Sequence, residues 1–308
     1  MYVPEAENQL VTDFQAIKNQ VLSPKNTSNQ LKIEAGFTKS AYLAQVRTML
    51  DHIHRGDIYE ANFCQEFYAS GTISPLDTFT ALNRISQAPF AAYFRNAEKY
   101  LLCTSPERYL RKKGDTLISQ PIKGTARRSD KPTEDAQLAA ALARDEKERS
   151  ENIMITDLVR NDLSRVAQKG SVNVDELCKI YSFKQVHQLI STISAKVDAH
   201  IPVIDLIKKT FPMGSMTGAP KVSAMNIIEK LERHKRGLYS GALGYFTPEG
   251  DFDFNVVIRS ILYDAAKQQV SFSVGSAITA LSNPEKEYEE CLLKAKAMRE
   301  VLTVTAIV

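Results

Sequence analysis

Cysteine is scarce and scattered: Cys64, Cys103, Cys178 and Cys291 are the only four in 308 residues. No two stand at the paired spacing of a metal-ligand set, so reduced, mostly buried thiols are expected. Long hydrophobic runs are missing too, which excludes an α-helical membrane span. Residues 1–7 carry acids and lack a basic region followed by an apolar stretch. That pattern is neither a secretory signal nor a transit peptide, and a cytoplasmic protein is expected. Lys and Arg are interspersed, so the formal charge of +3 forms no basic block. It gives little support to nucleic-acid binding, yet suits an anionic substrate. No internal repeat is visible.

What remains is an ordinary globular composition, 44% hydrophobic and 24% charged, in a chain long enough to bury a substantial core. Residues 1–37 read as an appendage: a helical stretch at 8–21, then a polar connection at 23–29. From residue 38 the pattern is continuous to 308. A helix is predicted at 40–55, where Tyr42, Leu43, Val46, Leu50 and Ile53 recur at helical spacing. Further helices are predicted at 76–87, 134–165 with a break, 203–210, 220–233 and 284–302. Strands are predicted at 90–95, 100–105, 116–119, 185–197, 241–247, 255–264 and 269–278. The last three are joined by short turn-rich connections and should pair antiparallel, which makes the class α+β with helices outside antiparallel sheets.

Two features carry chemistry on residue type alone. Lys123 stands between Pro121-Ile122 and Gly124-Thr125-Ala126-Arg127-Arg128. An amine attacks only when neutral, and burial or the neighbouring Arg127 and Arg128 would lower its pKa. Alone, it reads first as a solvated lysine in a turn, the usual fate of the residue. The second feature is two pairs of carboxylates three residues apart, Glu148 with Glu151 and Glu287 with Glu290. That spacing places each pair on one helix face. If the faces converge, a hard cation such as Mg²⁺ fits between them; if not, they are solvated acidic faces.

These segments sit inside longer matches. Residues 121–128 resemble the Pro-Ile-x-Gly-Thr-x-x-Arg signature of the chorismate-utilising enzymes, where x is Ala in anthranilate-forming members and Lys in aminodeoxychorismate-forming ones. Ser150-Glu151 through Arg160-Asn161-Asp162 resembles the family's Glu-x-Leu-Met-x-x-Asp-Leu-x-Arg-Asn-Asp helix. Residues 284–295 resemble its Glu-Tyr-x-Glu-x-x-x-Lys helix, and Gly214-Ser215-Met216-Thr217-Gly218-Ala219-Pro220-Lys221 its Gly-Ser/Thr-x-x-Gly-Ala-Pro-Lys loop. The resemblance extends over residues 38–302 and implies two antiparallel sheets packed face to face, with helices around them.

It also implies roles. Mg²⁺ would link a ring carboxylate of chorismate to Glu151 and Glu290, with Glu148 and Glu287 acting through water. Asp157, Arg160, Asn161 and Asp162 would form a buried polar scaffold. Arg259 would clamp a substrate carboxylate, a task suited to its planar fork of donors. Tyr245 would add a hydroxyl. Gly275, Ser276 and Ala277 would offer backbone N–H groups as a nest, Ser215 and Thr217 polar contacts, and Lys294 and Glu60 further substrate-binding groups. Glu107 would protonate the leaving hydroxyl and His187 would orient the ring. Lys123 would form a covalent bond to ring carbon 2 before ammonia adds at carbon 4.

Two departures stand out. Glu60 occupies a position that is usually Gln in amine-adding members and Lys in isochorismate-forming ones. Residues 1–37 stand where the family has a longer N-terminal region. The chain carries no glutaminase segment, so a glutamine amidotransferase subunit, forming a heterodimer, is expected to supply ammonia. Anthranilate formation is the near alternative, countered by Lys123, and isochorismate formation is countered by Glu60. A catalytically silent subunit is countered by retention of Glu107, Lys123, Glu151, His187 and Glu290.

Overall fold

The computed structural model describes residues 7–20, 31–184 and 186–303. The expected connection at 23–29, the last residue of the expected first helix and the first residue of the expected strand 185–197 lie outside them.

In chain order the first part runs α1 (Glu7–Asn19), β1 (Glu34–Ala35), α2 (Lys39–His54), β2 (Glu60–Ser70), α3 (Pro75–Ser86), β3 (Phe90–Asn96) and β4 (Lys99–Ser105). Three strands follow, β5 (Arg108–Lys113), β6 (Thr116–Gln120) and β7 (Ile122–Arg127), then helices α4 (Pro132–Arg144) and α5 (Glu146–Ser164). Next come β8 (Asn173–Ser182), β9 (Val186–Lys196), α6 (Val203–Thr210), a single 3₁₀ turn at Gly214–Met216, β10 (Gly218–Ala219) and α7 (Lys221–Leu231). The chain closes with β11 (Ala242–Phe246), β12 (Phe252–Val256), β13 (Ser260–Asp264), β14 (Gln269–Thr279) and α8 (Pro284–Thr303).

These strands make two seven-stranded antiparallel sheets. One has the order β1-β2-β14-β13-β4-β3, with β10 also on β2; the other has the order β11-β12-β5-β6-β9-β7, with β8 also on β9. The α+β class is therefore as the sequence predicts. Helices α2, α3, α7 and α8 close over the outer face of the first sheet, burying Tyr42, Val46, Leu82, Ile227 and Met298 against Phe63, Phe67 and Phe272. Helices α5 and α6 cover the second through Ile155, Leu163 and Leu206 against Tyr109, Leu117 and Ile193. Leu101 and Cys103 of β4 meet Val257 where the sheets face one another.

Local chemistry sets the boundaries. Thr38 caps α2 by accepting from Ala41 N at 3.3 Å, satisfying one of the donors a helix start leaves free. The break expected within 134–165 is Asp145: extended backbone (φ −65°, ψ 111°) ends α4, and the side chain caps α5 by accepting from Glu148 N at 3.0 Å.

One predicted strand is two. The segment 255–264 divides at Val257, Ile258 and Arg259, leaving β12 in the second sheet and β13 in the first. It reads as one strand because Val256, Val257 and Ile258 run on toward Ile261 and Leu262 with only Arg259 and Ser260 between. Four longer strands, β2, β5, β7 and β8, are absent from the sequence reading. Both faces of β2 are buried, with Asn62 and Gln65 among apolar residues, so it has no alternation to read.

Candidate active site

The chain passes between the sheets at two adjacent points. Pro106 and Glu107 connect β4 to β5, and Val257, Ile258 and Arg259 connect β12 to β13. Backbone bonds join the crossings: Val256 N donates to Glu107 O at 3.0 Å and Thr104 N to Arg259 O at 3.2 Å. Arg108 of β5 grips Asp253 of β12 with two bonds of 2.9 and 3.0 Å. Arg259 itself sits at φ 52°, a left-handed conformation that a non-glycine residue adopts only when its surroundings hold it there. Both crossings border a cavity of about 680 Å³, into which Glu107 and Arg259 project.

Lys123 enters the same cavity from β7. Ile122 pairs with Ile190 and Thr125 with Gln188, so Lys123 and Gly124 together face the single residue Leu189. Such a bulge re-aims a side chain. Gly124 takes φ 85°, and a Cβ there would stand 3.2 Å from Glu148 and from Leu142. Lys123 is therefore strand-borne and half-buried, and its surroundings differ from the expectation. Arg127, at the rim of the cavity, pairs with Glu134 and Arg128 with Asp135, each at 2.8 Å, so both guanidinium groups are engaged by α4. The side chain instead faces carboxylates, with Glu60 Oε1 at 3.4 Å. Burial pulls its pKa down, but Glu60, Glu151 and Glu107 together outweigh burial and hold it above the ordinary lysine value.

The acidic side chains converge. Glu148 and Glu151 from α5 and Glu290 from α8 line the cavity, and Glu287 lies buried just behind it. Lys147 sits between helices, 3.7 Å from Glu151 and 3.6 Å from Glu287. Glu151 Oε1 and Glu287 Oε2 are buried without hydrogen-bond partners. Burial, reinforced by Glu148 and Glu60, pushes Glu151 up to about 7. Glu290, held by Lys294 at 2.5 Å, stays below the usual range despite its burial. Glu107 is pushed up to about 7 by burial, partly offset by Ser215, Lys123 and Lys294.

Gly275, Ser276 and Ala277 border the cavity from the middle of β14, where they pair with Cys64, Phe63 and Asn62 of β2. They are strand residues and not a turn. The pairing of β14 with β13 ends at Ser271, which leaves one backbone edge open beside the cavity. Gly275 is obligatory for close approach: a Cβ would lie 2.5 Å from Cys64 Sγ and 2.8 Å from Phe63 O. Lys294 donates to Gly275 O at 2.9 Å and Ser215 lines the opposite wall.

Other expected residues lie elsewhere. Tyr245 is 62% exposed on the edge strand β11, outside the cavity lining. His187 is buried with both ring nitrogens engaged, Nδ1 by Ser182 at 2.8 Å and Nε2 by Asp135 at 3.0 Å. Its neighbours Val186 and Gln188 face the cavity, so strand alternation turns His187 away. Thr217 is buried and donates to Met213 O at 3.2 Å. Of the expected polar scaffold only Asp162 is buried; Asp157, Arg160 and Asn161 are exposed because they occupy the outer face of α5. Conversely, Lys147, Asn62, Gln188 and Tyr239 line the cavity without having been singled out. Only Lys147 left a signal, its spacing of four residues from Glu151.

The sequence matches the profile of the chorismate binding enzymes over residues 2–300. It is 43% identical to the aminodeoxychorismate synthase of Streptomyces pristinaespiralis over 82% of this chain and 36% of that protein. It is 38% identical to aminodeoxychorismate synthase component 1 of Escherichia coli K12 (87% of this chain, 59% of that one) and 34% identical to the component 1 of Bacillus subtilis 168 (98% and 63%). The chain thus spans less than two thirds of the length of these relatives. Anthranilate synthase component I from Streptococcus pneumoniae superposes with a TM-score of 0.85 at 29% identity, over 96% of this chain and 66% of that one. By sequence profile and fold alike, the chain belongs to the chorismate binding enzyme family.

Proposed function

We propose that the chain converts chorismate and ammonia to 4-amino-4-deoxychorismate, the precursor of p-aminobenzoate and folate. The observation that carries this reading is a largely enclosed lysine, Lys123, in the same cavity as a carboxyl group, Glu107, that burial pushes up to about 7. The names of the relatives support the same reaction.

Arg259 anchors one substrate carboxylate. Neutral Lys123 Nζ bonds to ring carbon 2, the ring double bond shifts, and the C4–O bond breaks as Glu107 gives its proton to the departing oxygen, releasing water. Ammonia then bonds to carbon 4, the double bond shifts back, and the bond to Lys123 breaks. The incoming nitrogen returns a proton to Glu107. Two allylic displacements replace one difficult substitution. In this reading His187 has a positioning role, tying β9 to β8 and α4 behind the cavity wall.

The acidic cluster fits Mg²⁺. Among the described residues no three or more His, Cys, Asp or Glu side chains stand close enough together to hold a metal ion as they are. Yet the donors are hard carboxylate oxygens, two of them buried and unpartnered, as suits an ion that takes few carboxylates and keeps several waters. Glu151 and Glu290 would hold it directly and Glu148 and Glu287 through water, and its charge would offset the substrate ring carboxylate.

Ammonia comes from a glutamine amidotransferase subunit, since the component-type names of relatives imply a divided enzyme. No described helix is long and apolar enough to cross a membrane, and the four cysteines are free and buried, which accords with a cytoplasmic setting.

The test incubates the protein with chorismate, Mg²⁺ and ammonium and identifies the product by chromatography. Aminodeoxychorismate is expected from the wild type and is lost in Lys123→Ala. Anthranilate as product, or an undiminished rate in that variant, overturns the reading.

A further inference from the structure

Lys123 needs somewhere to put a proton. Its site favours the ammonium, while only the neutral amine attacks. Three carboxylates face it: Glu60 from the start of β2, Glu151 from α5 and Glu107 from the crossing between β4 and β5. Glu107 must carry a proton of its own for the leaving oxygen, and Glu151 is assigned to the metal. Glu60 is also the partner with which Lys123 forms its ion pair.

Glu60 is enclosed on all sides but bonded through only one oxygen. It is 1% exposed, and its backbone is fixed from both sides, against Ala219 of β10 and Thr279 of β14. Oε1 faces Lys123 at 3.4 Å, and Oε2 is buried with no hydrogen-bond partner. Accepting two or three hydrogen bonds favours a carboxylate's charged form, and here the side chain has one such contact, to Lys123. A buried ion pair with one long contact keeps little advantage over its neutral form once water is excluded.

We propose that Glu60 is the internal proton acceptor for Lys123. With substrate filling the cavity, an Nζ–H bond breaks and an Oε1–H bond forms, leaving a neutral amine beside a neutral acid. Attack then gives a secondary ammonium on ring carbon 2. When ammonia displaces it, Lys123 leaves as the neutral amine and regains its proton from Glu60. The pair keeps one charge balance throughout, and no proton crosses to solvent. Glu60 acts through Lys123 and not on the substrate. The proposal rests on Lys123 being the nucleophile.

The test follows formation of the Lys123 adduct by intact-protein mass spectrometry, with chorismate and Mg²⁺ and without ammonia, in wild type, Glu60→Gln and Glu60→Asp. The amide keeps the shape and cannot take a proton. At about pH 7 the Gln variant is expected to react at least about tenfold more slowly. Solvent must then deprotonate Lys123, so the ratio of variant to wild-type rate rises about tenfold per pH unit. Taking the ratio cancels the titration of Glu107. Glu60→Asp keeps the wild-type profile at reduced rate. A ratio that stays constant with pH overturns the role of Glu60 and leaves the nucleophile standing. Absence of any adduct on wild-type Lys123 removes the nucleophile, and this proposal with it. If the Gln variant does not fold, the wild-type profile decides: a flat rate below about pH 7 supports internal transfer, and a rise of about tenfold per unit overturns it.

Discussion

Lys221 Nζ lies 2.5 Å from Asp162 Oδ1, tying the first residue of α7 to the last turn of α5. The same ammonium donates to Pro212 O at 2.7 Å. Burial pushes Asp162 up to about 6 and pulls Lys221 down, so desolvation opposes both charges. Truncating one partner strands the other charge in the interior. Asp162→Ala should therefore lose roughly 3–5 kcal/mol in urea unfolding, while replacing both residues with apolar ones of similar size should recover most of it. A single variant within about 1 kcal/mol of wild type would show the pair to be dispensable.

Glu107 makes two predictions of linked sign. In the proposed reaction Glu107 donates a proton, so turnover with saturating chorismate should fall as pH rises through about 7. Its folded pKa is raised from the model-peptide value of 4.5, so the stability it contributes is full below about 4.5 and is lost as pH rises through about 7. Glu107→Gln should then be inactive yet more stable than wild type at about pH 8, by up to roughly 3 kcal/mol, with the difference vanishing in acid. Melting curves at both pH values check the sign; equal differences at both would refute the burial argument.

Gly124→Ala tests the bulge. The left-handed φ and contacts of 3.2 Å to Glu148 and Leu142 leave no strain-free place for a methyl group. The expected loss is on the order of 1–3 kcal/mol in stability, with a larger fall in kcat than the stability change explains, because Lys123 is re-aimed. Adduct yield measured at a temperature where the variant is folded separates the two effects.

Lys147 neutralises the carboxylates that would hold Mg²⁺. Lys147→Ala should lower the melting temperature in EDTA, and added Mg²⁺ should restore more stability to the variant than to wild type, since the ion replaces the missing ammonium. Titration of melting temperature against Mg²⁺ reads both. Identical curves would remove the link between Lys147 and the metal.

Helices were legible because their apolar spacing is regular: residues 203–210 were placed to the residue, and the break within 134–165 fell on Asp145. Strands with one wet face were legible as well. The unread ones are buried on both faces, like β2, or interrupted, like β7, which starts beside Pro121 and bulges at Gly124. In the site, Lys123, Glu107, Glu151, Glu290 and Arg259 reach one cavity from five separate stretches, each carrying a family motif. Resemblance did not reveal side-chain direction. His187 and Tyr245 sit on strands whose alternation and edge position decide where they point, and the partners that settle this are remote in sequence. The same holds for Lys123, whose adjacent arginines turn toward α4 while carboxylates from β2 and α5 surround it.

The two crossings between sheets have a mechanical consequence. Glu107 and Arg259 are fastened to each other's flanks by backbone hydrogen bonds, from Val256 to Glu107 and from Thr104 to Arg259. A change that shifts one crossing must carry the other with it, so the two side chains keep their relative position. A ligand in the cavity would therefore meet Glu107 and Arg259 as a single unit.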